Sequence, residues 1–339
     1  MNRIAILIPT MNRPVFMGRA LNFYKTIGFN GSIYIGDSSE PRHIRDWPAL
    51  FPELKIKNKF YPVTKFNNQI VVLKDLMNYV TEPYSCIPGD DDFIIATNMI
   101  KLADFLDDNK DFNMAAGFQV KFFIVSKNEI FGDIKIDKIL HPHDWSSTDP
   151  LERFCGYMRH GGSTTYHLHR REMMADILQY ADEITIPAIG TEILLCSLAA
   201  LSGKVKTFKT ITSFQQSETS AVTFPRIKDK KNQIPTFFRI MTMGEWTDQF
   251  NLFKNVIVNK MVSLGSSIEE ANNTFYREFV YRVILLLKEQ HNRNYEEFTD
   301  RLQDYWGYQS ILVKNMDISW YNMELGEISK ILRLVCIEQ

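Results

Sequence analysis

The chain of 339 residues lacks a charge imbalance, because 39 Lys and Arg residues are balanced by 40 Asp and Glu residues for a formal net charge of -1. A polyanion would meet no long-range attractive field, so we expect no nucleic-acid partner. Internal repeats and low-complexity tracts are also absent. With 45% hydrophobic and 23% charged residues, the composition is typical of an ordinary globular protein with a substantial core.

Cysteines and long apolar runs are scarce as well. The four cysteines form no CxxC pair and no zinc-site spacing, which favours a reducing compartment. The apolar run at 283–287 lies between Arg282 and Lys288 and is too short to cross a bilayer. The chain starts with a strand-like run that Pro9 soon interrupts, unlike a signal peptide. We therefore expect a cytoplasmic protein without a transmembrane segment, with peripheral contact at the inner face of a membrane as an alternative.

Up to about residue 110 the sequence alternates short β-branched runs with amphipathic runs, a pattern typical of βαβ units and a parallel sheet. The predicted strands cover residues 4–8, 32–36, 54–61 and 84–88, and the predicted helices cover residues 14–27 and 65–80. These elements predict an α/β fold of the Rossmann-like type, with a mostly parallel sheet flanked by helices.

The rest of the chain mixes strands with helices and then becomes helical. We predict a helix capped by Thr97, a strand over 114–125 entering a hairpin near Asn128, a loop-rich stretch over 137–160, a strand over 162–168, and helices over 170–180 and 192–201. Long amphipathic helical patterns dominate beyond Pro235. We expect an α/β domain over 1–222 and a helical C-terminal domain over 225–339, which could also form a homo-oligomer.

Polar residues follow the ends of three predicted strands. They are Thr10, Asn12 and Arg13 after the first strand, Asp37 after the second, and Asp90, Asp91 and Asp92 after the strand at 84–88. Ligands of open parallel sheets bind beyond the carboxyl ends of the strands, so these residues are expected to share one crevice.

The three adjacent aspartates predict a site for Mn²⁺ or Mg²⁺. These cations prefer hard oxygen ligands and need few protein carboxylates when substrate phosphates complete the coordination. Three neighbouring carboxylates also repel one another, and a cation would relieve that repulsion. The alternative is an acidic turn, or a cap at the start of a helix.

Four motifs occur in order along residues 1–220 and together carry a resemblance. They are Ile8-Pro9-Thr10-Met11-Asn12-Arg13, Gly36-Asp37-Ser38-Ser39, Pro88-Gly89-Asp90-Asp91-Asp92 and Gly190-Thr191-Glu192-Ile193-Leu194-Leu195. In this order and spacing they resemble glycosyltransferase family 2 and its relatives with the nucleotide-sugar-binding GT-A fold. The resemblance implies that fold and a metal-assisted sugar transfer.

By this resemblance, the nucleotide sugar is expected to contact Pro9, Thr10, Asn12, Arg13, Asp37, Asn67, Asp90 and Asp91. Asp37 would bond the base, and Asp92 would bind the cation that holds the diphosphate. Alternatives stay open: Asp37 suits a turn, Arg13 suits the surface, Asn67 suits a helix cap, and Asp91 suits the shape of the turn.

The resemblance also assigns Glu192 as the base that deprotonates an acceptor hydroxyl in a single inverting displacement. The family usually has a Glu-Asp pair here, whereas this chain has Thr191-Glu192. The alternative is a glutamate that stabilises the start of a helix. Many relatives also supply a late His ligand to the metal, but no His occurs between His169 and His291. Substitutes could come from Gln215, Gln216 and Glu218, or these could form a plain polar loop.

The expected function is transfer of a single sugar from a nucleoside diphosphate sugar, UDP-sugars being favoured, to a hydroxyl of a glycan or lipid-linked acceptor in surface polysaccharide biosynthesis. The Gln-x-x-Arg-Trp motif of processive synthases is absent. Two alternatives are a non-catalytic nucleotide-sugar-binding scaffold and a nucleotidyltransferase. Nucleotidyltransferases use a Gly-rich loop after the first strand, and this sequence has none there, which disfavours the second alternative.

Overall fold

The first third of the chain forms the parallel half of a sheet. The computed structural model describes residues 2–62, 69–125, 130–180, 184, 193–217, 246–292, 331 and 336, without the side chains of 286–292. The strands are β1 (Ile4–Thr10), β2 (Ser32–Asp37), β3 (Lys55–Phe60) and β4 (Tyr84–Cys86). The helices are α1 (Pro14–Thr26), α2 (Trp47–Leu50) and α3 (Gln69–Met77), and a short 3-10 turn covers Pro41–His43.

The middle of the chain adds strands of both directions. These strands are β5 (Phe93–Ile94), β6 (Phe112–Val125), β7 (Asp133–Leu140), β8 (Leu168–Arg170) and β9 (Lys204–Gln216). The helices are α4 (Ala96–Asp108), α5 (Pro150–His160), α6 (Arg171–Gln179) and α7 (Leu195–Ser202). Within the described residues, one sheet runs in the order β3-β2-β1-β4-β8-β6-β9-β5, and β7 pairs with β6. The predicted α/β class, with a sheet flanked by helices, is confirmed.

The parallel half follows from its apolar runs. Four successive β1 residues, beginning at Ala5, are fully buried, as expected for a strand covered on both faces. Pro14 lies in the first turn of α1, where its missing N–H removes no hydrogen bond. Strand β1 pairs in parallel with β2 and β4, so the carboxyl ends of these strands lie at one edge.

Two hydrophobic clusters cover the two faces of the sheet. Ala5 and Leu7 of β1 belong to the cluster that α3, α5, α6 and α7 complete. Ile6 and Ile8 point to the other face, where α1 and α4 complete the second cluster. This division follows from the alternation of side chains along a strand.

Three local predictions were wrong. The stretch at 137–160 is not loop-rich, because β7 extends to Leu140 and α5 begins at Pro150. Helix α5 starts after Asp149, whose side chain accepts a hydrogen bond from the Leu151 N–H. The strand predicted over 162–168 is absent up to Leu168, where β8 begins, because the chain turns over 164–167 and the His167 N–H donates to the Thr164 carbonyl at 2.9 Å.

The third error concerns the start of α4. Thr97 lies inside this helix, and its N-cap is Ile95, which makes no side-chain cap hydrogen bond. The hairpin between β6 and β7 is confirmed by their antiparallel pairing, although its predicted turn at Asn128 lies outside the described residues.

Two long helices follow residue 245. They are α8 (Trp246–Ser263) and α9 (Ile268–Asn292). Phe253 and Phe275 are fully buried in the same cluster as α5 and α7. No helix in the described segments has both the length and the apolar character needed to cross a bilayer. The proposed division at residues 222–225 falls in a segment outside the described residues and stays a prediction.

Candidate nucleotide and metal site

Strands β1, β2 and β4 bring the predicted polar residues to one edge of the sheet. Thr10 and Asp37 end neighbouring strands and are paired in register. Pro9 is paired with Gly36 in the same ladder. A Cβ atom at Gly36 would lie 2.3 Å from Val72 Cγ1, so glycine is required for α3 to pack against β2. This close packing fixes the position of the end of β2, where Asp37 lies opposite Thr10.

A hydrogen-bonded loop pair follows β1 and β2. Asn12 has a left-handed φ of 57°, its N–H donates to Ser39 Oγ at 2.7 Å, and its Oδ1 accepts from the Glu40 N–H at 2.8 Å. Asp37 is buried, and its Oδ1 accepts from the Ser39 N–H at 2.9 Å. Asn12 therefore holds the two loops together, and Asp37 is oriented by its own turn.

Asp90 and Asp91 are both paired with Arg13. The guanidinium donates to Asp90 Oδ1 at 2.6 Å and to Asp91 Oδ2 at 2.9 Å. Thr10 Oγ1 donates to the other oxygen of Asp90 at 2.7 Å. Burial raises the pKa of Asp90, and the Arg13 charge opposes that rise. The Arg13 guanidinium, which the two acids share, offsets part of the repulsion between them.

Asp92 differs from its two neighbours. Its Oδ2 accepts from the Tyr166 hydroxyl at 2.6 Å and from the Gly89 N–H at 3.3 Å, and its Oδ1 accepts from the Gln216 N–H at 2.9 Å. In the described part of the chain, no Lys or Arg lies within ion-pair distance of Asp92. Burial, and secondarily the charge of Asp91, raises the pKa of Asp92 to about 7.

Arg19 connects the aspartate loop to the far strands. This buried guanidinium donates to Gln216 Oε1 at 2.5 Å, to the Asp91 carbonyl at 3.2 Å and to the Ile130 carbonyl at 2.7 Å. Burial lowers the pKa of Arg19, although the neighbouring aspartates oppose that shift. The end of β9 and the aspartate loop are thus held by one side chain.

Seven of the predicted site residues lie together at this edge. They are Thr10, Asn12, Arg13, Asp37, Asp90, Asp91 and Asp92. Glu192 and Asn67 lie outside the described residues, as does Glu218. Their predicted roles stay predictions.

Of the residues considered as substitute ligands, Gln216 reaches the cluster and Gln215 does not contact it. The Gln215 side chain donates to Gln119 Oε1 at 2.7 Å. Gln216 is the residue that bonds Asp92 through its backbone N–H and Arg19 through its side chain.

The sequence reasoning missed Arg19 and Tyr166. Arg19 had a signal, since it is a charged residue on the buried face of an amphipathic helix, beside Phe16 and Phe23. Tyr166 had none, because its contact with Asp92 spans 74 residues of sequence and depends on the path between α5 and β8.

The donor set at Asp92 fits a hard divalent cation. A buried carboxylate without a cationic partner is costly to ionise, and a bound cation removes that cost. A single carboxylate is sufficient where phosphate oxygens supply other ligands, as Mg²⁺ requires. Among the described residues, no group of three His, Cys, Asp or Glu side chains could hold a metal by itself. The fit is therefore to a cation shared with a phosphate-bearing ligand.

The fold is shared with solved glycosyltransferases. Over 83% of this chain, the structure of S. aureus TarS matches with a TM-score of 0.54 at 11% identity, and the match covers 43% of the TarS chain. The TarS fragment 1–349 matches with a TM-score of 0.51 at 12% identity, over 83% of this chain and 71% of the fragment. The chain thus spans less than half of full TarS.

These likenesses establish a glycosyltransferase fold, and the predicted GT-A fold is confirmed. At such low identity they show the fold alone, since one fold hosts many activities. No family model matches the chain, and no curated protein matches it in sequence.

Proposed function

We propose that the protein is a metal-dependent glycosyltransferase that moves one sugar from a nucleoside diphosphate sugar to a hydroxyl group. The observation that carries this proposal is the buried Asp92, which forms no ion pair with another described residue, at the edge where β1, β2 and β4 end in a glycosyltransferase fold. Ligands of open sheets bind at such an edge.

Each side chain has a proposed task. Asp92 would hold Mn²⁺ or Mg²⁺, which when bound would stabilise the negative charge on the departing diphosphate. Asp37 would bond the base, with a UDP-sugar as the favoured donor. Arg13 and Thr10 keep Asp90 in place at 2.6 Å and 2.7 Å for contact with the ribose. Preset groups of this kind lower the barrier because they need not reorganise during the reaction.

The acceptor step rests on the resemblance to family 2 enzymes. Glu192 would remove the proton of a glycan or lipid-linked hydroxyl, whose oxygen attacks the anomeric carbon as the diphosphate leaves with inversion. A single addition in surface polysaccharide biosynthesis is the proposed setting. Association at a membrane surface and assembly through the C-terminal helices stay parts of the proposal.

A turnover assay tests the proposal. The protein is incubated with UDP-, dTDP- and GDP-sugars, with Mn²⁺ or with EDTA, and released nucleoside diphosphate is measured. We expect slow release from a UDP-sugar that needs the metal and is lost in Asp92→Asn. The exposed Asp111, which pairs with Lys204 at 2.8 Å, provides the matched control Asp111→Asn, which should keep full turnover.

Other products would contradict the proposal. Release of a sugar 1-phosphate would indicate nucleotidyl transfer, and tight nucleotide-sugar binding without turnover would indicate a scaffold. Glu192→Gln should bind donor normally and lose turnover, and a fully active variant would remove Glu192 from the mechanism.

A further inference from the structure

Tyr166 is held beside the aspartate loop by the backbone around it. The Ile87 N–H donates to the Thr165 carbonyl at 2.8 Å, which ties the segment to the end of β4. His169 Nε2 lies 2.5 Å from the Thr164 carbonyl and closes the turn from inside. The ring of Tyr166 also packs against the hydrophobic cluster of α1 and α4. The hydroxyl is therefore presented from a fixed position.

Within the described residues, the hydrogen bonds of Asp92 leave one acceptor position of the carboxylate without a donor. A carboxylate has about four acceptor positions, two on each oxygen. Tyr166 and Gly89 occupy both positions of Oδ2, at 2.6 Å and 3.3 Å, and the Gln216 N–H occupies one position of Oδ1 at 2.9 Å. The remaining acceptor position is on Oδ1.

We propose that Tyr166 is a positioning residue of the metal site, which holds Asp92 Oδ2 so that Oδ1 is presented to the cation. This inference rests on the proposed function, because it takes Asp92 as the metal ligand. The Gln216 backbone approaches Asp92 from the end of β9, and Tyr166 approaches it from the segment that precedes β8. Together they fix the rotation of the carboxylate about its Cβ–Cγ bond.

The hydroxyl, not the ring, carries this role. Ring packing against the α1 and α4 cluster does not depend on the oxygen, so Tyr166→Phe keeps the ring and removes the bond to Asp92. Partners that orient a metal-binding side chain typically change metal affinity by about 10–100-fold when they are removed. Without its Tyr166 bond, Asp92 keeps only the backbone bonds from Gln216 and Gly89, at 2.9 Å and 3.3 Å, and its orientation is less restricted.

A matched control comes from Tyr84 at the other end of β4. This buried tyrosine donates to Asp107 Oδ1 at 2.5 Å, so Tyr84→Phe also removes a tyrosine–carboxylate bond, but outside the site. The full-length wild type, Tyr166→Phe and Tyr84→Phe are titrated with Mn²⁺ in the presence of UDP, and free Mn²⁺ is measured by electron paramagnetic resonance. Thermal unfolding without metal is recorded in parallel.

We expect Tyr166→Phe to weaken Mn²⁺ binding by about 10–100-fold while lowering the unfolding temperature no more than Tyr84→Phe does, and Tyr84→Phe to bind Mn²⁺ as the wild type does. Equal Mn²⁺ affinity in Tyr166→Phe and wild type would overturn the role of Tyr166. Equal weakening in both variants would overturn it too, as a sign of a general structural effect. A wild type that binds no Mn²⁺ with UDP would instead overturn the proposed function itself.

Discussion

At the scale of single residues, the three adjacent aspartates divide into a pair that shares one arginine and a single acid. Arg13 bonds both Asp90 and Asp91, with donor–acceptor distances of 2.6 Å and 2.9 Å. Asp92 accepts three hydrogen bonds and forms no ion pair within the described residues. Its burial raises its pKa to about 7. The chemistry proposed for the cluster is therefore concentrated on Asp92.

Asp92 should make the metal-free protein less stable as the pH rises. Its folded-state pKa lies above its unfolded value, so the folded state binds more protons and loses stability between about pH 4 and pH 7. Asp92→Asn lacks this loss. We expect the variant to match the wild type only at or below about pH 4 and to be more stable near about pH 8, by urea unfolding in EDTA.

Comparing the two proteins at each pH cancels the titration of all other groups. Mn²⁺ with UDP should remove the advantage of Asp92→Asn near about pH 8, because a cation stabilises the ionised carboxylate. A stability difference that is constant with pH would contradict the raised pKa of Asp92.

Gly89 should be intolerant of any side chain. A Cβ atom there would lie 2.8 Å from Asp91 Oδ1 and 2.9 Å from Asp92 Oδ2. We expect Gly89→Ala to displace both carboxylates and to weaken Mn²⁺-dependent UDP binding at least as much as Tyr166→Phe does, measured by calorimetry. Gly18→Ala, at a glycine whose added Cβ would meet only Trp47 at an ordinary contact distance of 3.7 Å, provides a comparison. Unchanged UDP binding in Gly89→Ala would show that the aspartate loop adapts.

Sequence reasoning reached the residues of the site but not their pairing. The strand-end rule located Thr10, Asp37 and the aspartates, because it depends only on local runs. It could not show that Arg13 bonds the aspartates, since an arginine after a strand end could equally have bound a phosphate. Tyr166 reaches Asp92 through tertiary contacts that no local pattern encodes.

At the scale of elements, strands and helices with a clear apolar pattern were predicted well, and those with a weak apolar pattern were not. Strand β1 and helix α1 agree with prediction within two residues at each end. Helix α5 was missed, although Asp149 and Pro150 form a recognisable helix start and Phe154, Tyr157 and Met158 are buried at helical spacing. The polar residues between those positions hid the apolar stripe.

Helix α9 is attached to α5 through a buried acid. Glu278 is buried and accepts from Arg159 at 2.6 Å and 2.7 Å and from Arg277 at 2.8 Å. We expect Glu278→Gln to lower the free energy of unfolding by about 1–3 kcal/mol, because its charged hydrogen bonds are weakened. Chemical denaturation measures this loss, and the exposed Glu270→Gln on the same helix should have little effect. Equal stability of both variants would mean that the Glu278 pairs contribute nothing.

At the scale of the whole molecule, the C-terminal helices share a core with the α/β part. Phe253 of α8 and Phe275 of α9 meet edge to face with their ring centroids 5.3 Å apart, in the cluster that α5 and α7 also form. A shared cluster of this kind favours unfolding as one unit, although the predicted boundary at 222–225 suggests two domains.

Phe253→Ala should separate these two possibilities. The large cavity should lower stability by about 3–5 kcal/mol. We expect a single calorimetric transition that shifts as a whole, because both parts lose the same packing. Two transitions, of which only one shifts, would instead support independent domains.

The central claim is that Asp92 binds a divalent cation together with a nucleoside diphosphate. Isothermal titration calorimetry of UDP into wild type and Asp92→Asn, with Mn²⁺ and with EDTA, tests it most directly. We predict tight binding only for the wild type with Mn²⁺. Equal UDP binding by wild type and Asp92→Asn in the presence of Mn²⁺ would contradict the account.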